Sequence, residues 1–493
     1  MSPVLRIMFS PFAALACVGA LAAGSTALAA DPVPMSGPKY DQSLNKQGVP
    51  GVRTCFWASG PYSGDPYLNV AWPDTNTYYW GAKFTMPEGS RLSLEGQFAH
   101  SRYTSYTSYD DRGQPVETLA DYLITPLPGH TNPARDGADR NATKRSYVID
   151  VVAGGQRDTS RVEGFFNEGA TSKTIAAPKN GGTQQVIILR NYTPDKGTGI
   201  TGGVPLPAPV LTLADGKVLR GAAACKALNT DQLLQVQPDA FGMPIARYRE
   251  LLTLPGKPDT HPATRPSTWY AQFDRKQFEG IFTGEVGNFE RKSEGFYPTV
   301  DNQYIRTFIN RKFGPVYVLR GTLPRTPKTM NGDPVMNTKD ADMRYWSICS
   351  QHGASNTTVL KCLNDEEVVT FGKERSYVIA FSRASDRPRT AYPECGINWL
   401  PIPDDGDGMF DPDQGNMMIR NMLARPDFPH SIQKVKKTGE ERQVMGSYLP
   451  TGAYMSKDIF ESAYTCRSAA ELSDLARQAE EADAAQQAAA KVK

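Results

Sequence analysis

Short apolar runs, rather than a helical period, dominate the pattern of hydrophobic and polar positions along this chain. Residues 103–109, 146–152 and 186–192 are such runs, rich in Tyr, Thr, Val and Ile, which favour strands. Turn-forming residues bound them at 110–113 and 179–182, as hairpin-like returns require. The pattern predicts an all-β fold with minor α content, built from two-layer sandwiches or jelly rolls.

The same blocks of sequence occur twice in the same order. Corresponding residues are 225 to 242 positions apart, and the second copy carries an insertion around 330–339. The matched blocks are 72–79 with 297–304, 92–96 with 317–321, 102–105 with 344–347, 145–149 with 375–379, and 189–191 with 419–421. Several matches in register indicate an internal duplication that gives two related domains, and two long copies do not make a solenoid.

This duplication sets the predicted domain boundaries. We predict a first β-sandwich at 31–236, a Pro- and aromatic-rich connector at 237–296, and a second β-sandwich at 297–467. Short helix is expected at 230–236. The tail 468–493, rich in Ala, Glu and Gln, is expected to be a helical or frayed terminus.

The first thirty residues have the composition of a signal peptide. Arg6 precedes an apolar stretch, and the small residues that follow predict cleavage near Ala29 and Ala30. Ser, Pro and Gly interrupt the stretch, so we expect no transmembrane segment. The alternative is a lipoprotein acylated on Cys17. The mature chain is therefore expected in the periplasm or outside the cell.

The cysteines of the mature chain agree with export. Six remain once Cys17 is removed, an even number that suits disulfides in an oxidising compartment. Cys349 and Cys362 lie in adjacent predicted strands, while Cys225 and Cys466 each follow the last matched strand of their copy. We predict the pairs Cys55–Cys225, Cys349–Cys362 and Cys395–Cys466.

Charge and motifs exclude several functions. The 493 residues include 54 Lys+Arg and 52 Asp+Glu, too balanced for a chain whose partner is nucleic acid. The stretch 197–202 satisfies GxGxxG, but Pro205, Pro207 and Pro209 follow it. They prevent the helix N-terminus on which a dinucleotide would bind. We therefore expect residues 197–202 to form a loop. Separately, we expect the protein to be a monomer.

Arginines recur at equivalent places in the two copies. Arg102 and Arg344 each begin an Arg-Tyr-x-Ser block, and Arg190 and Arg420 each precede Asn. One interpretation is that they tie loops at the ends of the sandwiches through carboxylate or carbonyl groups. The other is that they hold an anionic or sugar-like ligand in equivalent pockets. We take all four as candidate ligand-binding residues.

An acidic loop in the second copy is a candidate calcium site. Asp405, Asp407, Asp411 and Asp413 lie close together, with glycines among them, and calcium prefers several oxygen ligands from a flexible loop. Glu is missing at the position that closes an EF-hand loop. A solvated acidic turn is therefore the alternative. We name these four residues as predicted ligands of a structural calcium ion and expect no other cofactor.

Three motifs resemble a family. They are Asp-Thr-Asn-Thr-Tyr at 74–78, Arg-Tyr-Thr-Ser at 102–105, and Asn-Trp-Leu-Pro at 398–401 followed by Ile-Arg-Asn at 419–421. Together they are similar to paired bacterial exported β-sandwich domains of unknown function. The resemblance implies the fold and export, and it brings no reaction and no catalytic residue.

Two classes of function remain open from the sequence. The first is a binding or envelope-associated protein with a small-molecule or glycan site at the junction of the two domains, where ligands often bind. The second is an extracytoplasmic hydrolase or lyase with a site between the halves. Buried Asp, Glu or His side chains with shifted pKa values at the junction would favour the enzyme.

Overall fold

The structure is a computed structural model that describes residues 49–110, 113–153, 171–179, 184–234, 242–287, 289, 297–466 and 471. These residues belong to one compact unit within Val33–Lys493. The predicted signal peptide, Cys17 and most of the predicted tail lie outside the described residues. None of the helices that the structure describes has the length and apolar run that a bilayer crossing requires.

The described residues contain nineteen strands and five short α-helices, together with 3₁₀ turns and loops. This content confirms the all-β fold with minor α content. The strands of the first half are β1 (Ser59–Tyr62), β2 (Thr77–Phe84), β3 (Arg91–Gln97), β4 (Ser101–Tyr109), β5 (Pro115–Ala120), β6 (Ser146–Val152), β7 (Thr174–Ala176), β8 (Gln185–Pro194), β9 (Ala208–Thr212) and β10 (Val218–Arg220). Those that follow are β11 (Tyr270–Ala271), β12 (Asn302–Asn310), β13 (Val316–Thr322), β14 (Met343–Gln351), β15 (Val359–Asn364), β16 (Ser376–Ser382), β17 (Asn398–Pro401), β18 (Gln414–Ala424) and β19 (Thr451–Met455).

The two halves repeat one topology. In the first half the sheets have the orders β1-β2-β8-β4-β5 and β10-β9-β3-β6-β7, and in the second β11-β12-β18-β14-β15 and β17-β16-β13-β19. Even the parallel pair at one sheet edge recurs, since β6 pairs with β7 and β16 with β17 in parallel. This repeated topology agrees with the internal duplication predicted from the repeated blocks, and the domain boundaries stay predictions.

The halves share part of their core. Tyr345, Met422 and Leu423 of the second half pack in the hydrophobic cluster that fills the first. The insertion of the second copy also contacts the first half, because the backbone N–H of Gly137 donates to the carbonyl of Met336 at 2.7 Å. The junction is thus an extended packed surface.

The described residues include five short α-helices. They are α1 (Gly221–Ala227), α2 (Ile245–Leu252), α3 (Arg275–Thr283), α4 (Glu441–Met445) and α5 (Lys457–Ala463). The prediction of helix at 230–236 is wrong for its described residues, because α1 has already ended. Asn229 adopts a φ of 52°, the left-handed conformation that terminates many helices.

All three predicted disulfides are confirmed: Cys55–Cys225, Cys349–Cys362 and Cys395–Cys466. Cys349 and Cys362 face each other directly across β14 and β15. The Cys55–Cys225 bond closes a segment of 170 residues, so it joins the start of the first half to α1.

Removing the Cys55–Cys225 bond is expected to lower the free energy of unfolding by about 5 kcal/mol, because closing so long a loop restricts the unfolded chain most. Urea unfolding of a Cys55→Ala/Cys225→Ala variant, compared with the wild type under non-reducing conditions, measures the effect. Superimposable unfolding curves would contradict it.

Candidate functional site

A cavity of about 120 Å³ lies where the two halves meet. Strands β2 and β8 of the first half and β12 and β18 of the second supply about half of its lining residues, and β1 and the segments between strands supply the rest. The lining residues are Tyr62, Val70, Ala71, Trp72, Pro73, Tyr79, Ile188, Arg190, Tyr192, Leu234, Gln272, Tyr297, Pro298, Tyr304, Arg306, Met418 and Arg420. Several of them, including Tyr79 and Tyr304, are only half-buried, so the cavity is accessible from solvent.

Two of the predicted arginines meet in this cavity. Arg190 lies opposite Tyr79 across β8 and β2, and Arg420 lies opposite Tyr304 across β18 and β12. Tyr79 and Tyr304 occupy matched positions of the duplication. The cavity therefore contains the same cross-strand Arg–Tyr pair twice, once from each half.

Each of these arginines holds a loop of the opposite half. Nη2 of Arg190 donates to the carbonyl of Tyr297 at 2.6 Å, and Nη2 of Arg420 donates to the carbonyl of Trp72 at 2.7 Å. Trp72 and Tyr297 have φ values of 49° and 47°, a left-handed conformation that bulky residues rarely adopt and that concentrates at functional sites. The arginines thus stabilise a pair of matched, strained loops at the rim of the cavity.

Arg420 has its partners within the protein. Its Nη1 donates to Sγ of Cys349 at 2.7 Å and lies 3.5 Å from a carboxylate oxygen of Asp74. That carboxylate is itself buried and accepts from the hydroxyls of Tyr345 and Ser347 at 2.8 and 2.6 Å. Cys349, Cys362 and Asp74 are the one group of three metal-type ligands among the described residues, but their sulfurs are joined as a disulfide.

Arg190 and Arg306 are different, because part of each guanidinium is unpartnered. Both side chains are 3 % exposed, yet Nη1 of Arg190 and both Nε and Nη1 of Arg306 have no hydrogen-bond acceptor. Within the described part of the chain, neither forms an ion pair with a carboxylate. Buried polar groups are almost always paired, so these N–H groups await an acceptor.

Arg306 is held in place without being neutralised. Its Nη2 donates to the side-chain oxygen of Gln272 at 2.9 Å, and its guanidinium lies over the rings of Trp72 and Phe278 at 4.7 and 4.4 Å. Burial, and then the charge of Arg420, lowers the pKa of Arg306 to about 9. The group still carries its charge at neutral pH, so the cavity is positive.

The lining of the cavity combines guanidinium, phenol and apolar groups. None of the described residues that line it is Asp, Glu or His. Guanidinium groups form strong charged hydrogen bonds with anions.

Arg102 and Arg344 do not reach the cavity and instead join the halves. Nε of Arg344 donates to the carbonyl of Arg102 at 2.9 Å, and Nη1 of Arg102 donates to the carbonyl of Arg344 at 3.2 Å. Arg102 also forms ion pairs with Asp365, at 2.9 Å, and with Glu366. This reciprocal contact accounts for the recurrence of Arg-Tyr-x-Ser in both copies as a structural requirement.

Two buried carboxyl groups lie at the same junction. The hydroxyl of Tyr103 donates to Asp301, while Asp121 accepts the backbone N–H groups of Thr104 and Tyr122, each at 2.7 Å. Burial raises the pKa of both carboxyls to about 6, against about 4 for Asp in an unfolded chain. Neither lines the cavity.

These raised pKa values predict how stability depends on pH. A carboxyl whose pKa is higher in the folded state stabilises the protein fully below about pH 4 and loses that contribution as the pH rises through about 6. One group contributes up to about 3 kcal/mol. We expect Asp301→Asn to remove part of this decline, as measured by urea unfolding from pH 5 to 8. The exposed Asp215→Asn variant is the control, and identical profiles for all three proteins would contradict the prediction.

The four acidic residues proposed for calcium have protein partners. Asp407 is buried and accepts the hydroxyl of Tyr248 at 2.8 Å and the backbone N–H groups of 409, 410 and 411. Asp405 pairs with His352 at 2.9 Å, Asp411 accepts from Asn310 at 2.8 Å, and Asp413 pairs with Arg311 at 2.9 Å. The calcium site stays a prediction of the sequence alone, which a thermal melt with calcium and then with chelator tests.

Arg306 was missed by sequence reasoning. Two residues beyond the matched block 297–304, Arg306 corresponds to Gly81 of the first copy. The two copies therefore do not share an arginine at this position, and the comparison of the copies gives no reason to select it. Its cross-strand partner Met418 likewise replaces Ile188. The available signal was the difference itself, because a strand of the second copy has a charged residue where the first copy has glycine. This difference marks a place where the two halves are not equivalent.

Comparisons with known proteins identify no family for this chain. No protein-family model and no curated protein matches the chain. An uncharacterized protein from Burkholderia cenocepacia is similar over 79% of this chain and 79% of its own, with 9% identity and a TM-score of 0.41. The VPA0106 protein from Vibrio parahaemolyticus is similar over 78% of this chain and 90% of its own, with 9% identity and a TM-score of 0.36. These structural neighbours are uncharacterized bacterial proteins.

Proposed function

We propose that this chain is an exported binding or envelope-associated protein that holds a small anionic ligand in the cavity between its two halves. The unpartnered N–H groups of Arg190 and Arg306 carry this proposal. A buried positive charge without a partner is costly. A ligand that supplies negative charge would remove that cost and would use donors already fixed in position.

Binding is favoured over the alternative of an extracytoplasmic hydrolase or lyase. The buried carboxyls with raised pKa values, Asp121 and Asp301, lie outside the cavity lining. A ligand in the cavity would meet guanidinium, phenol and apolar groups, which orient and neutralise an anion. The volume of about 120 Å³ also suits a small molecule better than a glycan chain.

Three features support export. The apolar N-terminal stretch has the composition of a signal peptide. Three disulfides join all six cysteines of the mature chain, and such bonds persist in oxidising compartments. The resemblance to paired bacterial exported domains agrees with both.

Thermal denaturation in the presence of small anions tests the binding function. Acetate, phosphate and succinate are compared at equal ionic strength with neutral succinamide, using the wild type, Arg306→Met and Arg220→Met. Arg220 is the control because it is exposed and pairs with the exposed Glu95. We expect at least one anion to raise the midpoint of the wild type and of Arg220→Met, but not of Arg306→Met. Equal responses in all three proteins, or none in any, would refute the proposal.

A further inference from the structure

The two unpartnered guanidinium groups come from opposite halves and are held by different neighbours. Arg190 is on β8 and donates to the hydroxyl of Tyr109 and the carbonyl of Tyr297. Arg306 is on β12 and donates to the side chain of Gln272. They have no hydrogen-bond partner in common. The free N–H groups therefore belong to two guanidiniums, one from each half.

The guanidiniums of Arg190 and Arg306 both lack an ion-pair partner among the described residues, so the cavity can accept two negative charges. Asp74 lies beside Arg420 at 3.5 Å and accounts for that guanidinium. Asp301 interacts electrostatically with Arg190, but the described residues show no ion pair between the two. The carboxylate of Asp301 accepts the hydroxyl of Tyr103 instead. Arg306 has no carboxylate partner among the described residues. A ligand with a single negative charge would leave one of the two guanidiniums without a partner.

Apolar and aromatic groups also line the cavity. Ile188 and Met418 are among them, together with Tyr79 and Tyr304. A phosphate group has acceptor oxygens on every side and would place some of them against these apolar groups. A carboxylate has two oxygens and a carbon body. A molecule with a carboxylate at each end of an aliphatic chain would offer one anionic group to each guanidinium and its carbon chain to the apolar lining.

The size of the cavity limits the length of that chain. Its volume is about 120 Å³, and a cavity of roughly 150 Å³ in another protein accommodates benzene. A short dicarboxylate is of this order, whereas a fatty acid or a disaccharide is much larger.

We infer that the ligand is a short aliphatic dicarboxylate that bridges the two halves, with one carboxylate on Arg190 and the other on Arg306. This inference rests on the proposed anion-binding function and specifies its ligand class. The duplication explains the arrangement, because the halves contribute one end each. The replacement of the Gly81 position by Arg306 in the second copy supplies the second point of attachment.

Isothermal titration with a series of dicarboxylates tests the inference. Malonate, succinate, glutarate and adipate are compared with the monocarboxylate butyrate, using the wild type, Arg306→Met and the control Arg220→Met. We expect one length of dicarboxylate to bind the wild type at least tenfold more tightly than butyrate, since a charged hydrogen-bonded pair has about that effect. In Arg306→Met the best dicarboxylate should bind no better than butyrate, while Arg220→Met should behave as the wild type.

The outcomes separate the inference from the function on which it rests. If butyrate binds the wild type as tightly as every dicarboxylate, and Arg306→Met weakens both, the protein binds anions but the dicarboxylate inference is wrong. If inorganic phosphate, titrated in the same way, binds more tightly than any dicarboxylate, the inference is also wrong. If no anion binds, the proposed function itself fails. Circular dichroism of Arg306→Met establishes that a loss of binding is not a loss of fold.

Discussion

Replacing Arg102 with methionine is expected to lower the free energy of unfolding by about 3 to 5 kcal/mol, the usual effect of removing one partner of a buried ion pair. Asp365 and Glu366 would lose the guanidinium that both of them contact. The carbonyl of Arg344 would lose a donor from the opposite half. The effect is large because Arg102 is fully buried, so water cannot replace it. Urea unfolding of the two proteins measures the change.

The exposed pair formed by Arg220 and Glu95 provides the matched control. Its side chains are 60 % and 42 % exposed, and ion pairs that face solvent contribute little to stability. Arg220→Met should therefore leave the unfolding midpoint nearly unchanged. If Arg102→Met and Arg220→Met were equally stable, the account of Arg102 as a bond between the halves would be wrong.

Replacing Arg306 with methionine is expected to have the opposite effect on stability and to abolish anion binding. Methionine fills a similar volume without the charge, and such exchanges of buried ionic groups are often stabilising by about 1 to 4 kcal/mol. Contacts with Trp72 and Phe278 oppose this gain by up to about 2 kcal/mol. We expect a net rise of the melting midpoint in the absence of ligand, together with loss of the anion response.

Arg420→Met distinguishes this effect from a general property of the cavity. Arg420 contacts Asp74, Cys349 and the carbonyl of Trp72, so its loss leaves the buried carboxylate of Asp74 without a counter-charge. This variant should be destabilised where Arg306→Met is stabilised. A melting midpoint that falls in Arg306→Met as much as in Arg420→Met would show that Arg306 is a structural residue.

Much of the fold could be predicted from the sequence because duplication leaves a record in side chains that the fold needs. Arg-Tyr-x-Ser recurs since Arg102 and Arg344 bind each other's carbonyls, and Tyr103 and Tyr345 each donate to a carboxylate of the opposite half. Strand periodicity and hairpin turns located β4, β6 and β8 correctly. Two of the disulfide pairs followed from the equivalent places of Cys225 and Cys466 after the last matched strand of each copy, and the third followed from the adjacent strands of Cys349 and Cys362.

The candidate site could be predicted only in part. Arg190 and Arg420 were found because they recur, yet recurrence did not distinguish them from Arg102 and Arg344, which serve the junction. The packing of the two halves decides which of the arginines lines the cavity. A spacing of 230 residues in the sequence does not reveal how the halves pack. Arg306 was missed because its matched residue is glycine. The helix expected at 230–236 failed because the left-handed Asn229 ends α1 earlier.

The most direct test of the central claim is a crystal structure of the protein grown with and without succinate. We expect density for succinate in the cavity between the halves, with carboxylate oxygens about 3 Å from Nη1 of Arg190 and from Arg306. Ordered water alone in the cavity at saturating succinate, or succinate bound only elsewhere on the surface, would contradict the account.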